Sequence, residues 1–318
     1  MRAIQITSLD GPDAIELNDV EAPADDAAVV IAVRAAGVAF PELLQTRGQY
    51  QIKPELPFIP GSEVAGDVIS APADSGLRPG DRVAALPFLG GFAEQVTAEP
   101  QYTFALPDAM SYEAGASFMF NYGTAYFALV ERGGLQTGES VLVHGAAGGV
   151  GTAAVQVAKA FGAGRVVAVT STDEKGQIAL DAGADEYVLA DGFKDAALVG
   201  GRIDIVVDPV GGDRFTDSLR CLAEDGRLLV IGFTGGEIPT VKVNRLLLNN
   251  ISVVGVGWGA YALSRPGHLQ KEWTAMLPHI ESGVLDPVVG PSWPLAEASQ
   301  ALNALDQRRA TGKVVLTV

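Results

Sequence analysis

In the N-terminal third of the chain, apolar residues come in short runs or alternate with polar ones. "AIQIT", "AAVVIAVRAAGVAF", "EVAGDVIS", "DRVAAL" and "FAEQVTA" are separated by Asp10-Gly11-Pro12, Pro60-Gly61 and Pro79-Gly80-Asp81. Period two bounded by turn formers predicts strands, here of a compact, barrel-like β-domain. Near Ser111 the period changes. "SYEAGASFMFNYGTAYFALVERGGL" has helical spacing behind a capping serine. From Ser140 strands and helices alternate: strand "SVLVHG", helix "GVGTAAVQVAKAFG", strand "RVVAVT", helix "TDEKGQIALDAG", then strands "EYVLA" and "DIVVDPVG", helix "DRFTDSLRCLAEDG", and strands "RLLVIGF" and "ISVVGV". This alternation predicts a parallel sheet covered on both faces. Beyond Trp258 come helix candidates over 270–281 and 296–307, then a strand, "GKVVLTV", with no helix after it. Such a strand is free to return to the sheet of the first domain.

Bulk properties narrow the classes. A length of 318 residues suits two domains, and a hydrophobic share of 48% can fill two cores. The net charge of −16 comes from scattered acids. It argues against a nucleic-acid partner, whose phosphates need Lys and Arg. Cys221 is the single cysteine, so there is neither an internal disulfide nor a Cys/His cluster for structural zinc. That suits a cytoplasmic protein. "MRAIQITSLDGPDAIEL" lacks the apolar stretch of a signal peptide. The longest apolar run, Ile251 to Leu263, is glycine-rich and too short for a bilayer, so no membrane association is expected.

Candidate chemistry sits at "HGAAGGVG", residues 144 to 151. A strand runs into it and a helix leaves it, the context in which a glycine motif signals a dinucleotide. Ala146-x-Gly148-x-x-Gly151 fits the fingerprint with alanine in the first slot. Gly148 and Gly149 let a pyrophosphate approach the backbone, and Gly151 lets the helix pack close to the sheet. The next strand tip discriminates between cofactors. NAD sites place an acid there for the ribose hydroxyls. Here Thr170 and Ser171 hold that place, and Asp173 and Glu174 lie further on. Ser171-x-x-Glu174 fits a capping box, which assigns those acids to the next helix. Thr170 and Ser171 as donors and Lys175 as a charge favour a 2′-phosphate, so NADPH is expected over NADH.

"AAGVAFPELLQTRGQYQIKPELPFIPGSEVAGDV", "LRPGDRVAA", "VLVHGAAGGVGTAAVQVAKAFGA", "DIVVDPVGGDRF" and "GRLLVIGFTGGEIP" resemble the zinc-free quinone oxidoreductase branch of the medium-chain dehydrogenase/reductase superfamily. The matches keep the family's order over nearly the whole chain. The resemblance implies an α/β protein: a GroES-like β-rich catalytic domain over 1–115 and 258–318, and a Rossmann doubly wound parallel-sheet domain binding NADP(H) over 116–257. Zinc members carry a Cys in a motif like "GVCHTD" and a His in one like "GHE". Ala39 and Ser62 stand at those places here, and His144, His268 and His279 are isolated, so no metal is expected. Without zinc to polarise a carbonyl, the acceptors left are those that delocalise their own negative charge. The resemblance therefore implies metal-free hydride transfer to a small-molecule quinone or α,β-unsaturated carbonyl compound, in a homodimer joined through the edge strand "ISVVGV".

The resemblance also implies site residues. Gly148, Gly149 and Val150 match the pyrophosphate loop, and Lys175 a lysine on the 2′-phosphate. Asn121, Thr124, Gly232, Phe233 and Trp258 match positions along the nicotinamide half. Tyr50 matches a tyrosine at the mouth of the cleft, as hydrogen-bond donor to the substrate oxygen or as a wall of the pocket. Lys313 matches a lysine near the cofactor, against the alternative of a surface lysine in a terminal strand. Two positions depart from the pattern: Ala39 replaces a frequent asparagine, and Ala190 a frequent tyrosine. Two other readings stand beside this one. An enoyl-thioester reductase needs a basic entry, for which Arg47 and Lys53 are the nearby residues. A non-enzymatic NADPH-binding or RNA-binding protein is disfavoured by the charge of −16.

Overall fold

The computed structural model describes residues 1–318, which divide into two compact units. The first comprises Met1–Phe120, Gly267–Trp273 and Pro287–Val318; the second comprises Asn121–Pro266 and Thr274–Asp286. The resemblance implies borders at 115/116 and 257/258. The contacts instead group Trp258–Pro266 and Thr274–Asp286 with the second unit.

The first unit is built on a seven-stranded sheet. Its path runs Val289–Pro294, Lys313–Thr317, Val29–Val38, Glu63–Ser70, Arg82–Ala85, Thr103–Ala105, and Gln95–Ala98 also pairs with Val29–Val38. The C-terminal strand does return to this sheet. It lies antiparallel to Val29–Val38, with Leu316 opposite Ala36. Alternation drives the assembly: Val29, Ile31 and Val33 face a core shared with Ile4, Phe92, Leu302 and Leu316. The short helix Phe40–Gln45 follows the long strand directly and buries Glu42, Leu43 and Gln45.

The second unit holds a six-stranded, all-parallel sheet in the order Glu186–Leu189, Arg165–Thr170, Ser140–His144, Ile203–Asp208, Leu222–Val230, Ser252–Gly255. Val141, Leu142, Val166, Val167, Val206 and Val207 are fully buried, as continuous apolar strands require when both faces are covered. The chain winds one way from Ser140–His144 and then the other way from Ile203–Asp208. A topological switch point therefore lies between these strands, at whose carboxyl ends ligands bind in such sheets.

Three local expectations change. The helix expected over "DRFTDSLRCLAEDG" is Phe215–Cys221 only, because Leu222 already pairs with Ile203 and Asp225 takes a left-handed φ of 63°. A helix at Asn244–Asn249 gave no periodic signal, since its leucines 247 and 248 are both exposed. The helical stretch after Ser111 is capped by that serine, whose Oγ accepts the Ala114 amide at 3.1 Å, but it widens to π-geometry over Met119–Gly123 and Phe127–Arg132. Such widenings cluster at functional sites.

Candidate active site

In the second unit, the strand Ser140–His144 ends in the turn Gly145–Gly148 and the helix Gly149–Ala160 begins. The glycines serve different ends. Gly145 sits at φ 60°, a conformation that favours glycine. A Cβ on Gly151 would collide with the Gly145 carbonyl oxygen, so its bareness is needed for helix and turn to touch. A Cβ on Gly149 would meet the Asn121 amide nitrogen at 2.6 Å. A Cβ on Gly148 would meet only the Gly145 oxygen, at an ordinary 3.4 Å. No packing inside the protein requires Gly148 to be bare. It is the N-cap without a side-chain cap, and the helix opens with N–H groups that have no partner inside the helix.

The other expected residues of this unit gather at the same end of the sheet. Thr170 closes its strand and is buried; its hydroxyl donates to the Thr172 carbonyl at 3.1 Å. The capping reading shifts by one residue. Thr172, not Ser171, is the N-cap, accepting the Lys175 amide at 3.3 Å. Ser171 is thereby left exposed, and Lys175 is half-buried on the first turn. Ala190 donates its amide to the Thr170 carbonyl at 2.7 Å, so the third strand tip lies against the second. Gly232 and Phe233 follow the strand Leu222–Val230, and Phe233 is 37% exposed. Asn121 is buried against Gly149 and Thr124 is buried one turn on. Trp258 is buried with its ring over Gly123, where a Cβ would come within 2.7 Å. Val150 is half-buried at the helix start. His144 faces the core: it is fully buried, with Nε2 2.7 Å from the Ser218 Oγ, and desolvation lowers its pKa to about 3.

In the first unit, sequence reasoning missed a buried charged centre. Glu42 is fully buried and its carboxylate joins two segments. Oε2 accepts the Ala39 amide at 2.9 Å; Oε1 accepts the Ser62 amide at 3.0 Å and the Ser62 hydroxyl at 2.5 Å. The next residue, Glu63, accepts the Phe120 amide at 2.8 Å through Oε1, and Lys313 Nζ at 3.0 Å through Oε2. Burial raises both carboxyls, while Ser62 and Lys313 chiefly oppose it at Glu42 and Lys313 does so at Glu63. Lys313 is 3% exposed, so it is not the surface lysine that was its alternative. Gly37 makes room for this pair: a Cβ there would meet Lys313 Cε at 2.7 Å and collide with the Ala116 carbonyl oxygen. Tyr50 is half-buried, and burial, then the charge of Glu42, raises its phenol. The available signal was an acid in each of two otherwise apolar stretches, "FPELL" and "SEVAG".

Comparison with known proteins places this geometry. Residues 25–108 match the model of the alcohol dehydrogenase GroES-like domain, and residues 149–282 that of the zinc-binding dehydrogenase. Over 296 residues the chain is 38% identical to "Quinone oxidoreductase-like protein 2" of Bos taurus, covering 91% of this chain and 85% of that protein. The chain is a quinone oxidoreductase-type member of the medium-chain dehydrogenase/reductase superfamily. Two solved structures agree with this membership. The quinone oxidoreductase of Thermus thermophilus, solved also in complex with NADPH, is 38% identical with a TM-score of 0.88 over 100% of both chains. A probable oxidoreductase from Mycobacterium abscessus is 43% identical with a TM-score of 0.91, over 100% of this chain and 99% of that one. Two positions stand where the resemblance places zinc ligands, Ala39 and Ser62. Ala39 offers no donor atom, and the Ser62 hydroxyl is bound to Glu42. No helix is long and apolar enough to cross a membrane.

Proposed function

We propose that this protein is an NADPH-dependent oxidoreductase that transfers hydride, without a metal, to quinones or α,β-unsaturated carbonyl compounds. The observation that carries the reading is the Glu42 bridge, which ties together the two positions where zinc relatives hold their ligands. With no Lewis acid, the acceptor must spread its own negative charge, as quinones and enones do. NADPH, when bound, supplies the hydride; the chain binds, orients and excludes water.

The cofactor reading rests on the switch-point turn. Gly148 and Gly149 let the pyrophosphate approach the amides of the helix start beside Val150. The Thr170 hydroxyl proton is already engaged with the Thr172 carbonyl, so the 2′-phosphate falls chiefly to Ser171 and Lys175. Asn121, Thr124, Gly232, Phe233 and Trp258 are assigned to the nicotinamide half, and Tyr50 to the substrate oxygen. Lys313 is assigned to its pair with Glu63 rather than to a cofactor contact. The enoyl-thioester alternative loses one of its two cations, because Arg47 is bound to Asp306 through two hydrogen bonds of 3.0 and 2.7 Å.

NADPH oxidation should depend on an added quinone or enone, and NADPH should bind more tightly than NADH. Equal or tighter NADH binding overturns the 2′-phosphate reading, and silence across a broad acceptor panel overturns the activity. Tyr50→Phe separates donor from wall, since an unchanged kcat removes Tyr50 from the chemistry. We also assign the protein to the cytoplasm, in keeping with its buried free Cys221, and to a homodimer. The strand Ser252–Gly255 is the open edge of the parallel sheet, and Val243, Leu247 and Leu248 are 72–76% exposed just before it. Light scattering that finds a monomer rejects the dimer.

A further inference from the structure

Asp208 ends the strand Ile203–Asp208, at the switch point, and is 2% exposed. Its carboxylate is not used by any step described so far. Oδ1 accepts two backbone amides, Val210 at 3.0 Å and Gly211 at 2.8 Å. This folds the chain into a tight turn that continues through two left-handed glycines, Gly211 at φ 67° and Gly212 at φ 70°. The turn is then laced to the loop that follows the neighbouring strand. Ile231 donates to the Asp208 carbonyl at 3.0 Å, Thr234 to Pro209 at 3.2 Å, Gly235 to Val210 at 2.8 Å, and Gly212 to Glu237 at 3.1 Å. The Phe233 ring rests on the turn, so that a Cβ on Gly211 would come within 3.0 Å of it. On the other side the Val210 side chain abuts Gly145, where a Cβ would lie only 3.3 Å from it.

The turn is thus braced against Gly145 and carries Gly232–Phe233. Nothing but Asp208 holds its Val210 and Gly211 amides in this arrangement, and these two hydrogen bonds to a buried carboxylate are of the strong, charge-assisted kind. We infer that Asp208 is a positioning residue, setting the place of Gly232 and Phe233 against the nicotinamide half of the cofactor. This rests on the assignment of those two residues made under the proposed function. It predicts a larger effect on the nicotinamide half than on the 2′-phosphate, whose assigned residues Ser171 and Lys175 hang from a different strand tip.

The experiment compares Asp208→Ala, Asp208→Asn and Phe233→Ala in the full chain. It measures the change in nicotinamide emission when NADPH binds, the Kd values of NADPH and of 2′,5′-ADP, and kcat with a small quinone. An asparagine oxygen can still accept both amides. The expected result for Asp208→Ala is a fivefold or greater loss in NADPH affinity and in kcat, an altered emission, and less than a twofold change for 2′,5′-ADP. Asp208→Asn should restore most of the emission change and of kcat. The inference is overturned if Asp208→Ala keeps emission and kcat within twofold of wild type. Equal loss of NADPH and 2′,5′-ADP binding also overturns it, because it marks a general structural role. If Asp208→Ala does not fold, Asp208→Asn decides: emission and kcat close to wild type support the inference, and their loss in a folded protein rejects it. Phe233→Ala keeps the two readings apart. Unaltered emission in that variant refutes the assignment of Phe233 itself, whereas altered emission there with none in Asp208→Ala refutes only the role of Asp208.

Discussion

Two places in this molecule were emptied of something that side chains could have supplied, and they were emptied differently. In the first unit, Ala39 and Ser62 stand where the resemblance places zinc ligands, and Glu42 ties them together with three hydrogen bonds. Beside it Glu63 and Lys313 satisfy each other, with Gly37 bare to admit them. In the second unit, Gly148 is bare at a helix start and nothing from the protein fills the space. The first place is complete on its own. The second is where we propose that the cofactor's pyrophosphate binds. Gly151 is bare because a neighbour requires it; no neighbour requires it of Gly148.

The largest expected effect breaks the closed centre. Lys313→Ala leaves Glu63 buried without its cation, which costs about 3–5 kcal/mol; denaturant titration should show it, and adding Glu63→Gln should recover much of the loss. A first-unit centre that tolerates Lys313→Ala at little cost is not held together by the Glu63–Lys313 pair. Next come the two glycines that distinguish packing from binding. Gly151→Ala drives a methyl into the Gly145 carbonyl and should cost about 3 kcal/mol of stability. Gly148→Ala meets no such obstacle, so its stability should stay within about 1 kcal/mol of wild type, while NADPH affinity falls about tenfold, or about 1.4 kcal/mol. If the two substitutions act alike, the separation of architectural from ligand-facing glycine fails.

The smallest effect is in the pH dependence of Glu42. Burial raises its pKa, so the folded protein holds that proton more tightly than the unfolded chain does. Wild type should therefore lose stability relative to Glu42→Gln as pH rises from the ordinary carboxylate range through the raised value, and no further above it. Paired thermal melts at about pH 4 and about pH 8 read this difference. A gap that moves in wild type's favour as pH rises contradicts a raised Glu42.

Much of this was legible in the sequence, because it depends on period and on turn chemistry. The strand–helix alternation from Ser140 onward yields the parallel sheet, and the helix-free strand Lys313–Thr317 does join the first sheet. The glycine turn was legible for the same local reason. The closed centre was not. Glu42, the pair Ser62–Glu63 and Lys313 lie far apart in sequence, and an acid inside an apolar stretch reads as a surface residue until the fold buries it. Asp208 escaped notice because its work is done through backbone amides, which carry no side-chain signature. The helix Asn244–Asn249 is not periodic because only Leu246 meets the core, while Leu247 and Leu248 are exposed. The residue that caps the helix Asp173–Asp181 differs by one, since Ser171 and Thr172 offer equivalent hydroxyls and only the backbone decides between them.

We propose hydride transfer from NADPH with no metal at the place Glu42 closes. The most direct measurement is the steady-state rate of NADPH oxidation by a small quinone, taken on protein dialysed against a strong chelator and then with zinc added back. The expected result is the same kcat and KM in both, and a zinc content far below one ion per chain. A rate that disappears with the chelator and returns with stoichiometric zinc would contradict it.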